Sequence, residues 1–325
     1  MSNSTGKPDS YDNRDVRSSR QGGSVSYFDA VARDYFQRYQ EKSPGGYALR
    51  VRKQRLFELM DRSGGRVLDV GCGPGVMVQE LVNLGYECWG IDVSSKMVEE
   101  CRNNFGHIAQ AHFSVGDATR LDFPDNFFDA VVCMGVIDHT EDSEASLREM
   151  ARVVKSNGRL LISFPNLISP YAAWKNFVFY PTVALLRPLY YQLFRRPQPP
   201  SLYNRGVIHF LSLFPSIHKL HTAKRVAENV TQYGVEVSEI VYFNFNVVIP
   251  PLDEIFPGLA MRIAERLEPC RFQKLKWLGS GFILTARKLD GSRKGRAFSG
   301  SASRASGRPF GAHDPGPGGM GARRP

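Results

Sequence analysis

The chain has 325 residues, 42% hydrophobic and 23% charged, which excludes a wholly disordered chain, a collagen-like fibre and a coiled-coil rod. Its net charge of +10 divides unevenly: residues 289–325 hold seven basic residues against two acidic, residues 1–25 four against three, and residues 26–288 thirty-one against twenty-seven. The basic excess is therefore largely a property of the termini and does not mark the body as a nucleic-acid binder. Five cysteines, Cys72, Cys88, Cys101, Cys133 and Cys270, show no CxxC spacing. That argues against zinc-finger and disulfide frameworks and fits a reducing compartment. No apolar run reaches the ~18 residues of a spanning helix, and the polar opening lacks the apolar stretch of a secretory signal. A cytoplasmic protein is expected.

Residues 1–25 and 289–325 are rich in Ser, Gly, Arg and Pro and poor in aliphatics, so they are expected to be disordered around a folded body at 26–288. In chain order, apolar residues at three- and four-residue spacing predict helices over 27–40 and 47–62. Residues 66–70, RVLDV, then read as a short buried strand bounded by glycines. A glycine turn at 71–75 leads into a helix over 76–84. Residues 88–91 give a second strand, and Ser94 or Ser95 caps a helix over 96–104. Strands are expected at 111–115 and 128–134, then a helix at 145–154. Asn157-Gly158 turns the chain into a fifth strand at 159–164. A helix at 222–233 and strands at 235–246 and 277–287 complete the pattern. Strand and helix in this alternation mean right-handed crossovers and a mostly parallel, seven-stranded sheet with helices on both faces.

The chemistry concentrates in VLDVGCGPG, residues 67–75. Glycines at 71, 73 and 75 let the backbone approach a ligand closely, and the turn opens onto the N–H groups of a helix start. Asp92 ends the second strand, 23 residues after Asp69, where a carboxylate can accept both hydroxyls of a ribose. A dinucleotide site favours G-x-G-x-x-G; here the third glycine comes one residue early, and Asp69 aims a carboxylate into the turn. Negative charge there suits a cationic amino-acid ligand better than a pyrophosphate, and S-adenosylmethionine meets these demands. Asp117 can bond an adenine amino group and Ala118 its ring edge. A nicotinamide oxidoreductase remains an alternative that tight nicotinamide binding would reveal.

The segments VLDVGCGPG, GIDVSSKMVEEC, VGDATRLDFPDNFFDAVVCMGVIDHT and LREMARVVKSNGRLLISFPN, in this order, resemble a class I S-adenosylmethionine-dependent methyltransferase. The likeness runs over about residues 27–166 and 221–288, and the chain is similar to the branch that includes the ubiquinone-biosynthesis O-methyltransferases. It implies a Rossmann-like fold, S-adenosylmethionine as cofactor, and cofactor contacts at Asp69, Gly71, Gly73, Asp92, Met97, Asp117 and Ala118. Met97 would pack on the adenine, or serve as an ordinary core residue of its helix. The expected reaction is methyl transfer to a small-molecule or lipid-like acceptor at oxygen. A polysaccharide or glycolipid precursor, and a non-catalytic partner subunit that only binds cofactor, are alternatives. His139, at the mouth of the cleft beside Asp138, is the candidate general base; the bland alternative is a structural histidine. The related O-methyltransferases carry an acidic pair around this histidine; here Gly135 stands at the first acid's position. Two remaining ligands make no site for a hard cation, so no metal is expected.

Residues 167–220 form an insertion outside the minimal fold, a helical, aromatic-rich cap with eleven aromatics in residues 167–217. Pro181 and Pro188 are expected to prevent one long helix. The cap is expected to cover an apolar acceptor pocket, to touch a membrane surface through residues 171–196 at the inner face, or to self-associate. Residues 249–269 read as an amphipathic helix packed against it. Nucleic acid is not an expected partner, since the body lacks a track of interleaved basic and aromatic residues.

Overall fold

The computed structural model describes residues 13–60, 64–140, 142–166, 168–183, 185–186, 222–268 and 277–290. The chain divides into two units, Met1–Leu289 and Asp290–Pro325, and the second lies, Asp290 apart, outside the described residues. The N-terminal helices are α1 (Asn13–Arg38) and α2 (Pro44–Leu59). The alternation β1 (Gly65–Val70), α3 (Val78–Asn83), β2 (Tyr86–Asp92), α4 (Ser95–Phe105), β3 (Ala111–Val115), β4 (Phe128–Cys133), α5 (Ser143–Val153) and β5 (Val154–Pro165) follows. The insertion begins with α6 (Pro170–Ala173). The chain closes with α7 (Ala223–Thr231), β6 (Val235–Phe243), α8 (Leu252–Ile255), α9 (Pro257–Leu267) and β7 (Gly281–Lys288).

The seven strands form one sheet in the order β3-β2-β1-β4-β5-β7-β6. All neighbours are parallel except β7, which runs antiparallel between β5 and β6. The period of two along each strand divides the core into two layers. Leu68, Val70, Val131, Cys133 and Ile162 pack beneath Leu147 and Met150 of α5 and Val226 and Val230 of α7. Val67, Ala130, Val132, Leu161 and Ile283 pack on the other face against Val51 and Leu56 of α2 and Val78 and Leu81 of α3. Asp69 shares the face of Val67, so the fold carries it toward α2.

Local chemistry sets the ends of these elements. Ser43 caps α2 by accepting the Gly46 N–H, and Ser94 caps α4 by accepting the Met97 N–H at 3.1 Å. Asp142 Oδ1 accepts from Glu144 N and Ala145 N at 3.0 and 2.9 Å and starts α5.

Several expectations need correction. Helix α1 begins at Asn13, inside the stretch expected to be disordered. Once the apolar turns after Tyr27 are helical, each added residue needs only one more hydrogen bond, and Gly22 and Gly23 cost only about 1 kcal/mol each. The disorder expected of residues 1–12 and 291–325 lies outside the described residues. Helix α3 starts two residues late because the turns Gly75 N→Cys72 O and Val78 N→Gly75 O consume the intervening segment. Asn157, at φ +64, does not precede β5 but sits inside it, where the register against β4 slips between Phe128 and Ala130. Pro181 does not end the cap helix, which continues to residue 183. It follows a π-helical turn, Trp174–Phe179, whose wider winding relieves the clash a proline ring makes in an α-helix. Pro188 and the rest of the cap, from residue 187 to 221, lie outside the described residues.

Candidate active site

The parallel strands β1, β2 and β4 deliver their C-terminal ends to one place, and a cavity of about 210 Å³ opens there. Every residue singled out from sequence lines it: Asp69, Gly71, Gly73, Asp92, Met97, Asp117, Ala118 and His139. Ligand sites of open α/β sheets form in this crevice because the loops beyond the strand ends diverge there. A fourth wall comes from Phe28 and Tyr35 of α1 and from Tyr39, which follows it.

The glycine loop is shaped by bonds to β2. The N–H groups of Gly71 and Cys72 both donate to Ile91 O, at 2.8 and 2.9 Å. Gly73, at φ +54, donates to Asp92 Oδ2 at 3.0 Å, and a Cβ added there would meet nothing within 4 Å. The loop is thus fixed while its cavity side stays open. Asp92 Oδ1 accepts from Ser94 N at 2.9 Å. Burial pushes the Asp92 carboxyl above the usual carboxylate range, partly offset by the N–H groups of Ser94 and Gly73.

Asp69 is 2% exposed, and its Oδ2 has no hydrogen-bond partner. Burial first, and the neighbouring Asp92 second, push its carboxyl up to about 7, while Arg52 opposes the shift. Arg52 reaches in from α2 and hydrogen-bonds to Tyr35 of α1 and to Tyr39 just beyond it, but its Nε is buried without a partner. Burial raises the Tyr39 hydroxyl above its usual value, so it stays neutral and accepts from the guanidinium. Orphaned buried polar atoms are costly, and two of opposite charge sign on one cavity wall ask for a ligand that carries both charges. An α-amino acid group, ammonium toward Asp69 and carboxylate toward Arg52, meets that demand.

Asp117 Oδ1 accepts from Thr119 N at 2.8 Å, which folds the turn after β3, with Ala118 buried beside it. Met97 is 1% exposed, a core residue of α4 that also lines the cavity. His139 ends a short 3-10 turn, Ile137–His139, beyond β4, and the Phe28 ring meets its imidazole edge-on at 5.3 Å. Gly135, at φ +78, is packed so tightly that a Cβ would collide with the Arg52 guanidinium. A cation therefore occupies the neighbourhood where the related O-methyltransferases place an acid. Among the described residues no group of three or more His, Cys, Asp and Glu converges on a metal position.

Sequence reasoning missed Arg52, Tyr35 and Tyr39. The tyrosines read as one helical stripe four residues apart, and Arg52 as one of four basic residues in α2. The one available signal was a cation on the face that also buries Val51 and Leu56.

Comparison with known proteins agrees with this geometry. Residues 68–162 match a family model described as a methyltransferase domain. A ubiquinone biosynthesis O-methyltransferase of Xanthomonas oryzae is 33% identical over 118 residues, covering 36% of this chain and 49% of that protein. A demethylmenaquinone methyltransferase of Mycobacterium marinum is 35% identical over 144 residues, 42% of this chain and 57% of its own. The chain thus spans about half the length of the curated relatives it matches. A Haloferax volcanii methyltransferase, solved in complex with the Trm112 methyltransferase activator, shares the fold at a TM-score of 0.52 and 18% identity, covering 81% of this chain and 98% of its own.

Proposed function

We propose that the class I S-adenosylmethionine-dependent methyltransferase domain of this chain methylates an oxygen atom of a small-molecule or lipid-like acceptor. The observation that carries the reading is the pair of orphaned buried atoms, Asp69 Oδ2 and Arg52 Nε, on one cavity wall. Asp69 would take the cofactor's ammonium and Arg52 its carboxylate. Asp92 would take the ribose hydroxyls, since each of its oxygens can accept a second hydrogen bond. Asp117 and Ala118 would hold the adenine edge, with Met97 against its face. Gly73 leaves room for the approach, while Gly71 lets the loop pass against Val136, where a Cβ would collide. When bound, S-adenosylmethionine supplies an electrophilic methyl group on a cationic sulfur.

The chain's own contribution is largely alignment, which is worth roughly 7–11 kcal/mol when reacting atoms are held in line. His139 would accept the hydroxyl proton of the acceptor as the new carbon–oxygen bond forms. Phe28 against its ring limits the orientations the imidazole can take. The names of the quinone-methylating relatives support an apolar ring or chain in the acceptor. In the same reading the aromatic cap, residues 171–196, touches the membrane surface on its cytoplasmic side.

The test is transfer of a labelled methyl group from S-adenosylmethionine into a cell extract, followed by partition between organic solvent and water. Label in the organic phase that needs intact Asp92 supports the lipid-like acceptor. Label confined to water points instead to a sugar or polar metabolite. Cofactor binding without any transfer, across extracts and pH, would favour a non-catalytic subunit.

A further inference from the structure

Two thiols meet at the glycine loop, and the chemistry proposed above uses neither. Cys72 lies in the loop between Gly71 and Gly73, and Cys101 lies on the buried face of α4. Their sulfurs are 3.7 Å apart, in contact. Two glycines make the room they occupy. A Cβ on Gly90 of β2 would come within 3.0 Å of the Cys72 sulfur, and one on Gly75 within 3.2 Å of the Cys101 sulfur. The Cys101 thiol also donates to Gly73 O at 2.9 Å, so it helps to hold the loop.

The two thiols differ in access. Cys72 lines the cavity and is 7% exposed, whereas Cys101 is fully buried and does not line it. A small solute that enters the cavity meets Cys72 first, and a molecule that fills the cavity shields it. Cys88 and Cys133 are fully buried and line no part of the cavity. The hydrogen bond with Cys101 first, and burial second, hold the Cys72 thiol well above its ordinary range, so it rests protonated and reacts slowly. Such a pair stays reduced in a reducing compartment until oxidant accumulates.

We propose that Cys72 and Cys101 form a reversible disulfide in response to peroxide, that the disulfide disables the glycine loop, and that bound cofactor protects the pair. The Cys72 sulfur attacks hydrogen peroxide; the O–O bond breaks, one water leaves, and Cys72 becomes a sulfenic acid. The Cys101 sulfur then attacks the Cys72 sulfur, the S–O bond breaks, and the hydroxide leaves with the Cys101 proton as a second water. Two thiols are oxidised and one peroxide is reduced to two waters. The bond draws the loop toward α4, and it removes the hydrogen that Cys101 gives to Gly73 O. Gly73 is the residue whose N–H holds Asp92 Oδ2, so the loop and the Asp92 carboxylate are disturbed together. The crosslink follows from the thiols alone; its effect on the cofactor rests on the proposed placement of S-adenosylmethionine in this cavity.

The experiment treats the reduced full chain with hydrogen peroxide, blocks the remaining thiols by alkylation, and maps the peptides by mass spectrometry. A peptide pair joined through Cys72 and Cys101 should appear, and dithiothreitol should separate it. S-adenosylmethionine at about ten times its dissociation constant should slow the joining about tenfold, since only the unfilled cavity admits peroxide. Titration calorimetry should find the oxidised chain binding cofactor about tenfold or more weakly than the reduced chain, with recovery in dithiothreitol. Cys101→Ser keeps a donor for Gly73 O, so it should bind cofactor like the reduced wild type and yield no joined peptide. Cys88→Ala should still yield it. Peroxide that leaves both thiols free, that stops at an oxidised Cys72, or that joins either one to Cys88, Cys133 or Cys270 overturns the proposal. So does a joined chain with unchanged cofactor affinity, or joining at one rate with and without bound cofactor. A reduced chain that binds no S-adenosylmethionine defeats the proposed function instead, while the joined peptide, read without cofactor, still decides whether the pair forms.

Discussion

Replacing Asp69 with Asn should change how the cofactor's affinity depends on pH. The Asp69 carboxyl titrates near 7, raised by burial and by Asp92. Under the proposed function, the ammonium it meets needs the carboxylate. With a value near 7, the charged fraction falls from about ten elevenths at pH 8 to about one eleventh at pH 6. Affinity should therefore weaken about tenfold between those pH values, or about 1.4 kcal/mol. Asp92 titrates in the same cavity, so the informative quantity is the difference in slope between wild type and Asp69→Asn. Titration calorimetry at pH 6, 7 and 8, in two buffers of different ionisation enthalpy, measures both the affinity and the protons released. Wild type should release protons near pH 6 that the variant does not. A variant with the wild-type slope and proton count would refute the assignment. The free protein carries the opposite sign. Its folded-state value lies above the usual 3.8, so the unfolded chain gives up its proton first. Stability of the free protein should fall as pH rises from about 4 to 7, by up to about 4 kcal/mol from this group. Asp69→Asn should remove most of that fall.

Other substitutions test other walls of the cavity. Arg52→Met should lower cofactor affinity about 30-fold by removing a charged donor, and should move the pH midpoint of binding above 7, since Arg52 holds the Asp69 value down; titration of that variant reads both. His139→Ala should reduce the turnover number about a hundredfold while leaving cofactor affinity unchanged, and turnover equal to wild type would exclude the general base. Gly135→Ala should cost about 2 kcal/mol or more in denaturant unfolding, because its backbone is left-handed and its Cβ would collide with Arg52. The same variant should bind cofactor poorly even where it stays folded.

The parts of the molecule that were legible in sequence are those governed by neighbours in the chain. β1 announces itself because a strand buried on both faces is mostly apolar, and Val67, Leu68 and Val70 are fully buried with Asp69 the one polar side chain among them. The eight site residues meet because parallel strands all end on one side of the sheet, so a motif after each strand needs no further instruction. What stayed hidden is set by distant neighbours. Nothing local says that α1 lies over the cleft, or that Tyr35 in that helix and Tyr39 just after it find Arg52 of α2. Nothing local places β7 between β5 and β6. The π-helical turn before Pro181 was invisible because a proline reads as a stop unless the preceding turn has already widened. The outward apolar side chains of α8 and α9, the exposed Ile255 and Leu259 among them, looked like a packing face, since amphipathicity says that one side is apolar but not what it meets.

Helix α2 holds the cavity's guanidinium at Arg52 and, one turn on, is held by Arg55, which bonds to Glu268 Oε1 at 3.2 Å and to its carbonyl at 2.7 Å. These partners lie 213 positions apart in the chain. A nascent chain emerging from the ribosome has therefore made the whole glycine loop long before the segment that anchors α2 exists. The Arg52 side of the cavity is then among the last parts to be completed, and a chain cut before residue 268 would keep the loop but leave α2 without this anchor.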